Sequence, residues 1–248
     1  MTLNVILLLF SVGLVAGCLN TLAGGGSLLS LPVLIFMGLP PSVANATNRV
    51  AIVLQNIFAV RGFKSKGVSV YPFSLWLGIS AFFGSIVGAS FAVDINEALF
   101  NRILAIVIVG VVVYMGINPL KNVKKAENMG KKATITSIII FFFVGIYGGF
   151  IQAGVGYLMI MALTLVNGFS LVKTNSIKVF VALTYTSVAL GIFIYYGIVN
   201  WEFGIPLAIG NAAGGWLSSR WSVNKGDNWI RYIVMITASA FAIKLFFF

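Results

Sequence analysis

The chain has 248 residues, of which 60 % are hydrophobic and 8 % charged, and its formal net charge is +11. Because a water-soluble domain carries roughly 25 % charged residues, the composition excludes a soluble fold and implies an all-α polytopic membrane protein in contact with the lipid bilayer. The lysines and arginines cluster in short connections between apolar runs, the positive-inside pattern, so nucleic acid is not an expected partner.

Histidine is absent and Cys18 is the single cysteine. An intrachain disulfide, a Cys/His metal site, an imidazole proton shuttle and a histidine-based triad are therefore excluded, and no metal, cofactor or catalytic residue is expected. No GxxxxGK[ST] loop marks a nucleotide site. The first apolar run lacks a basic leader and a small-residue cleavage site, so it reads as mature structure.

In chain order the apolar runs are 3–22, 27–39, 50–60 with a polar lead-in from 43, 70–92, 98–117, 134–152, 156–167, 175–196, 201–219 and 229–248. Runs of about 20 residues span the hydrocarbon as helices, whereas 27–39 and 156–167 are too short for an ordinary crossing. The long polar connection 118–133, "NPLKNVKKAENMGKKA" with five lysines, divides the chain into an N-terminal repeat, 1–117, and a C-terminal repeat, 134–248.

The two halves repeat one motif. "GLVAG" at 13–17 matches "GIYGG" at 145–149; a polar amide follows, Asn20 or Gln152, and then a glycine cluster, "AGGGS" or "AGVG". Each half continues with a short apolar run, a Thr-Asn pair (Thr47-Asn48, Thr174-Asn175) and a cation, Arg49 or Lys178; later Gly84/Gly88 matches Gly210/Gly214. Loop charges reverse at equivalent positions. Arg61, Lys64 and Lys66 follow the third run of the first half, where the second half has Glu202. At the next connection Asp94, Glu97 and Arg102 stand against Arg220, Lys225, Asp227 and Arg231. The repeats are thus expected to have inverted topology, with the linker cytoplasmic and both termini on the far side.

Inversion needs an odd number of crossings per half, and three spanning helices supply them. The first two runs of each half then form a glycine-broken helical hairpin. Irregular backbone at bilayer depth survives only when buried in protein or facing a wet cavity. A short helix is expected from Ser27 and from about Tyr157, and its first turn leaves backbone N–H groups free at the positive end of the helix dipole. Such ends suit an anion. The third run adds a polar stripe, Asn45, Asn48, Ile52, Gln55, Asn56 and Ala59, whose counterpart is Asn175, Lys178, Ala182, Tyr185 and Thr186. Intramembrane polar side chains usually face the bundle interior. All five acids, Asp94, Glu97, Glu127, Glu202 and Asp227, fall in or beside connections, which disfavours Na⁺ or Ca²⁺ as the substrate.

The candidate binding residues are Asn20, Gly24, Gly25, Gly26, Ser27, Asn48, Arg49, Gln55, Gln152, Gly154, Gly156, Asn175 and Lys178. The competing structural readings are helix packing by the GxxxG pairs, snorkelling of Arg49 and Lys178 to headgroups, and simple interhelical hydrogen bonding by Gln55 and Asn56. The stretch "GLVAGCLNTLAGGGSLLSLPVLIFMGLPPSVANATNRVA", with "GIYGGFIQAGVG" at 145–156 and "KTNSIK" at 173–178, resembles the sulfite exporter TauE/SafE family of bacterial membrane transporters. The resemblance implies a plasma-membrane exporter of sulfite or organosulfonates such as sulfoacetate. Its motif positions carry over to Asn20, Gly24 to Ser27, Thr47 to Arg49, Gln152, Gly154, Gly156 and Thr174 to Lys178. The expected partner is a small inorganic or organic anion, and a homodimer is compatible with the sequence. With no buried carboxylate or histidine, a proton relay is hard to build, so uniport or protonation carried by the substrate is expected. An anion channel of the same substrate class is the alternative.

Overall fold

The computed structural model describes residues 1–116, 126–230, 232, 233 and 236. Half of the linker 118–133, residues 118–125, and most of the expected last span, 229–248, lie outside the described residues. The helices are α1 (Leu3–Ala23), α2 (Ser27–Phe36), α3 (Pro41–Ser65), α4 (Phe73–Asp94), α5 (Glu97–Gly116), α6 (Lys131–Phe150), α7 (Val155–Asn167), α8 (Leu171–Tyr195) and α9 (Trp201–Lys225). Among the described residues α1, α4, α6 and α8 are long and apolar enough to cross a bilayer. The chain is an all-α polytopic membrane protein.

Its surface and interior are arranged for lipid. Leu3, Phe83, Phe91, Ile139, Phe143 and Leu217 are exposed, while Asn45, Asn48, Arg49, Gln55, Asn56, Asn175 and Lys178 are buried. Polar groups in hydrocarbon must find partners within the protein, so the polar stripes turn inward. The 25-residue α3 and α9 carry enough of these groups to dilute their apolar character.

Glycines bring helix backbones into contact. A Cβ on Gly13 would lie 3.2 Å from Gly210 Cα, and one on Gly17 2.9 Å from Asn211 Cα. One on Gly84 would lie 2.9 Å from Ile146 N, and one on Gly88 2.9 Å from Phe150 N. Along both pairs the contacts advance together, so α9 runs parallel to α1 and α6 parallel to α4. This is the small-residue packing that lets membrane helices approach closely. On α3, Gly204 meets Thr47 and Val50 while Gly215 meets Gln55, so α3 also runs with α9. Gly78 meets Phe180 and Thr184, and Ser85 donates to Tyr185 O at 2.7 Å. With Phe73 on Phe169, these contacts run α4 along α8. The α3–α8 contact has the opposite sense: Arg49 lies over Phe193, while Ala59 and Phe63 pack on Val179. Two bundles result, α1/α3/α9 and α4/α6/α8, meeting at antiparallel α3 and α8.

Carboxylates sit at helix starts. Asp227 accepts from Leu171 N at 2.9 Å and from Val172 N at 3.0 Å, capping α8. Glu97 accepts from Ser42 Oγ in the first turn of α3. Both match the positive end of a helix dipole.

Candidate functional site

Each hairpin breaks at the glycine-rich stretch, with different geometry in the two halves. In the first, α1 ends at Ala23, and Gly24, at φ 78°, donates its N–H to Leu19 O and Asn20 O at 3.0 Å. Helix α2 starts at Ser27 as the sequence predicts. In the second, α6 ends at Phe150, four residues form the break, and Gly154 at φ 72° precedes α7. Helix α7 begins at Val155 rather than near Tyr157, because Gly154 takes the left-handed turn and its carbonyl accepts from Tyr157 N at 3.0 Å. The second break is pinned by Tyr147 Oη, which donates to Ala153 O at 2.5 Å. With 10 and 13 residues, α2 and α7 are about 15 and 20 Å long against a hydrocarbon core of about 30 Å.

The two breaks touch. A Cβ on Gly24 would lie 2.7 Å from Gly156 Cα, and one on Gly156 would lie 2.5 Å from Gly24 Cα. The N–H groups of Gly25, Gly26 and Ser27 have no acceptor among the described residues, nor do those of Val155 and Gly156. These are the unpaired donors that a first helical turn leaves.

The cations of the third helices lie at the carboxyl ends of the broken helices, each on the opposite half. Arg49, 0 % exposed, donates from Nη1 to Gly148 O and, at 2.7 Å, to Gln152 Oε1, and from Nη2 to Gly149 O at 3.0 Å. Asn45 Nδ2 completes the cap of α6 by donating to Phe150 O at 3.0 Å. Lys178, 2 % exposed, donates from Nζ to Asn20 O and Thr21 O at 2.8 Å and to Asn175 Oδ1 at 2.7 Å. Asn175 Nδ2 donates to Leu22 O at 3.0 Å. Cations are favourable at the negative end of a helix, so a buried guanidinium and a buried ammonium are held without a carboxylate. Arg49 and Lys178 do not snorkel; they cap α6 and α1.

Beside the breaks is a small polar cavity lined by Asn20, Asn56, Gln152, Gly156, Met159, Lys178, Ala182 and Tyr185. Its volume is about 10 Å³, the room one water molecule needs. Asn56 Nδ2 is buried there without a partner among the described residues, and Tyr185 Oη accepts from Gln152 Nε2 at 2.9 Å. Asn20 Nδ2 donates to Gln55 Oε1 at 2.9 Å.

Of the residues proposed from sequence, Asn20, Gln152, Gly156 and Lys178 converge on this cavity. Gly24, Gly25, Gly26 and Gly154 form the breaks. Gln55 stands behind Asn20, while Arg49 and Asn175 are engaged with helix ends. Ser27 and Asn48 form a separate pair: Asn48 Nδ2 donates to Ser27 Oγ at 3.2 Å and its Oδ1 accepts from Ser30 Oγ at 2.8 Å. Asn56 and Tyr185 line the cavity but were not among the candidates, although both lie on the polar stripes that gave the signal. Met159 and Ala182 carried no chemical signal.

The pattern described as "Sulfite exporter TauE/SafE" matches residues 9–245. A protein named "Probable membrane transporter protein ORF9" from Sinorhizobium sp is 24 % identical over 244 residues, covering 96 % of this chain and 90 % of its own. A "Probable membrane transporter protein" from Haemophilus influenzae is 27 % identical over 248 residues, covering 98 % and 95 %. The "Probable membrane transporter protein YfcA" of Escherichia coli K12 is 28 % identical over 240 residues, covering 96 % and 88 %. No solved structure matches. Matched over nearly its whole length, the chain belongs to the TauE/SafE sulfite exporter family of membrane transporters.

Proposed function

We propose that the protein is a secondary transporter exporting small sulfur-containing anions, sulfite or organosulfonates such as sulfoacetate, across the bacterial plasma membrane by alternating access. The observation that carries this reading is the meeting of the two broken hairpins beside a cavity whose polar liners are amides, a phenol and an ammonium. Unspent donors face a low-dielectric interior there, where each hydrogen bond to an anion is stronger than in water. Lys178 has spent its three donors on carbonyls, so it contributes charge. Arg49 has five N–H groups and uses three of them; its Nε has no partner among the described residues.

Inverted repeats fit the contact pattern. The counterparts α3 and α8 cross antiparallel, and α1 and α4 each pair with a helix of the other half running in the same sense. Repeats related in this way place the substrate at their interface. A cavity of about 10 Å³ holds about one water, so an oxyanion enters only when α3 and α8 part. The bundles α1/α3/α9 and α4/α6/α8 are the bodies that rock, and the connections 66–72 and 196–200 link them. Catalysis has no part in this scheme. With the polybasic linker cytoplasmic, export runs from its side to that of the termini.

Uptake of labelled sulfite into proteoliposomes, competed by sulfate, sulfoacetate and taurine, tests the reading. Saturable uptake blocked by sulfite or sulfoacetate supports a transporter; flux linear in concentration at channel rates supports an anion channel instead. Absence of protein-dependent uptake of labelled sulfite, and then of labelled sulfoacetate, overturns the substrate class.

A further inference from the structure

Lys178 Nζ has three hydrogens and three acceptors, Asn20 O, Thr21 O and Asn175 Oδ1, at 2.8, 2.8 and 2.7 Å. All three are neutral carbonyl oxygens, two from the last turn of α1 just before its break and one from α8 itself. Among the described residues no cluster of acidic, histidine or cysteine side chains fit for a metal exists. The charge of Lys178 is balanced by carbonyl dipoles and by the negative end of α1. Carbonyls at the carboxyl end of an interrupted helix are the ligands with which secondary transporters coordinate a co-transported cation. Here an ammonium on a four-carbon stem stands where such a cation would stand.

We propose that Asn20 O, Thr21 O and Asn175 Oδ1 form a monovalent-cation site permanently filled by the Lys178 ammonium, so that no dissolved cation is needed there. The site itself rests on geometry alone; its consequence, transport without Na⁺, rests also on the function proposed above. Lys178 also lines the polar cavity. Removing its side chain therefore joins the vacated stem to existing space and gives a free ion room beside the same three oxygens.

The test is a melting experiment on purified full-length protein in detergent, with Na⁺, K⁺, NH₄⁺ or choline as the chloride salt at equal ionic strength. In Lys178→Ala, at least one of Na⁺, K⁺ and NH₄⁺ raises the melting midpoint over choline by about 4 °C, the shift a ligand at roughly ten times its Kd gives a chain of this size. Wild type melts at the same temperature in all four salts. Should the alanine variant fail to fold, Lys178→Ser, whose hydroxyl adds an oxygen ligand, takes its place. Equal midpoints in every salt for the variant overturn the proposal, as does a cation-specific rise in wild type. A second arm reads the cation requirement of transport through labelled sulfite in proteoliposomes. Wild-type uptake persists when choline replaces Na⁺ on both sides, and uptake by the variant, lost in choline, returns with the stabilising cation. A Na⁺ requirement in wild type overturns the built-in cation. If no sulfite is taken up at all, the transport reading fails while the melting arm still decides the cation site.

Discussion

The contact between the two hairpin breaks can be probed with single methyl groups. Gly24 has φ 78°, and a Cβ there would lie 2.7 Å from Gly156 Cα. The left-handed conformation costs an alanine about 1–2 kcal/mol, and forcing the backbones apart adds about 1–3 kcal/mol of overpacking. Gly24→Ala is thus expected to lose about 2–5 kcal/mol. Gly67 supplies the control, since it has φ 74° but no atom within 4 Å of its would-be Cβ. Gly67→Ala bears the conformational cost alone. For a chain of this size 1 kcal/mol corresponds to about 2–4 °C in melting midpoint. A contact term of about 2 kcal/mol therefore puts Gly24→Ala about 4–8 °C below Gly67→Ala. The assay is thermal unfolding in detergent under identical conditions. Equal midpoints would show that the breaks are not pressed together, and the shared site would lose its basis.

Asn56→Ala removes a donor that has no partner among the described residues and an acceptor held by a long 3.4 Å bond from Gln55 Nε2, which keeps Thr21 Oγ1 at 3.3 Å, so its unfolding free energy is expected to shift by less than about 1 kcal/mol. Its half-saturation concentration for labelled sulfite should rise about tenfold, the worth of one hydrogen bond to a charged group. Arg49→Lys keeps the charge but loses the fork that spans Gly148 O, Gly149 O and Gln152 Oε1. About 1.5–3 kcal/mol of stability should go with it, read by denaturant unfolding. In a Cys18→Ser background, an impermeant thiol reagent should label Lys64→Cys from one side of the membrane and Val199→Cys only from the other. Labelling of both from one side would refute the inverted arrangement.

The two broken hairpins were legible in the sequence because a glycine cluster follows a polar amide in each half and interrupts an apolar run. The start of α2 at Ser27 followed from the three glycines before it. The second break was harder. Val155 opens α7 because Gly154 adopts φ 72°, and nothing in "AGVG" says which glycine turns left-handed. The partners of Arg49 and Lys178 were legible only in part, since four of the six are backbone carbonyls, which every residue carries, and only Gln152 and Asn175 contribute side-chain amides. Sequence reasoning assigned these cations to the substrate; the structure first gives them helix ends to hold. Asn56 and Tyr185 were visible as members of polar stripes, but their place at the cavity depends on how α3 crosses α8, a tertiary fact.

The crosswise capping has a consequence for biosynthesis. Lys178 meets carbonyls made long before it, whereas Arg49 must wait for Gly148, 99 residues downstream. At about 5–20 residues per second, the ribosome needs about 5–20 s to deliver that acceptor. Throughout that interval the guanidinium of the nascent first half lacks the three acceptors that hold it in the folded protein, so α3 is expected to reach its final depth only after α6 has been synthesised.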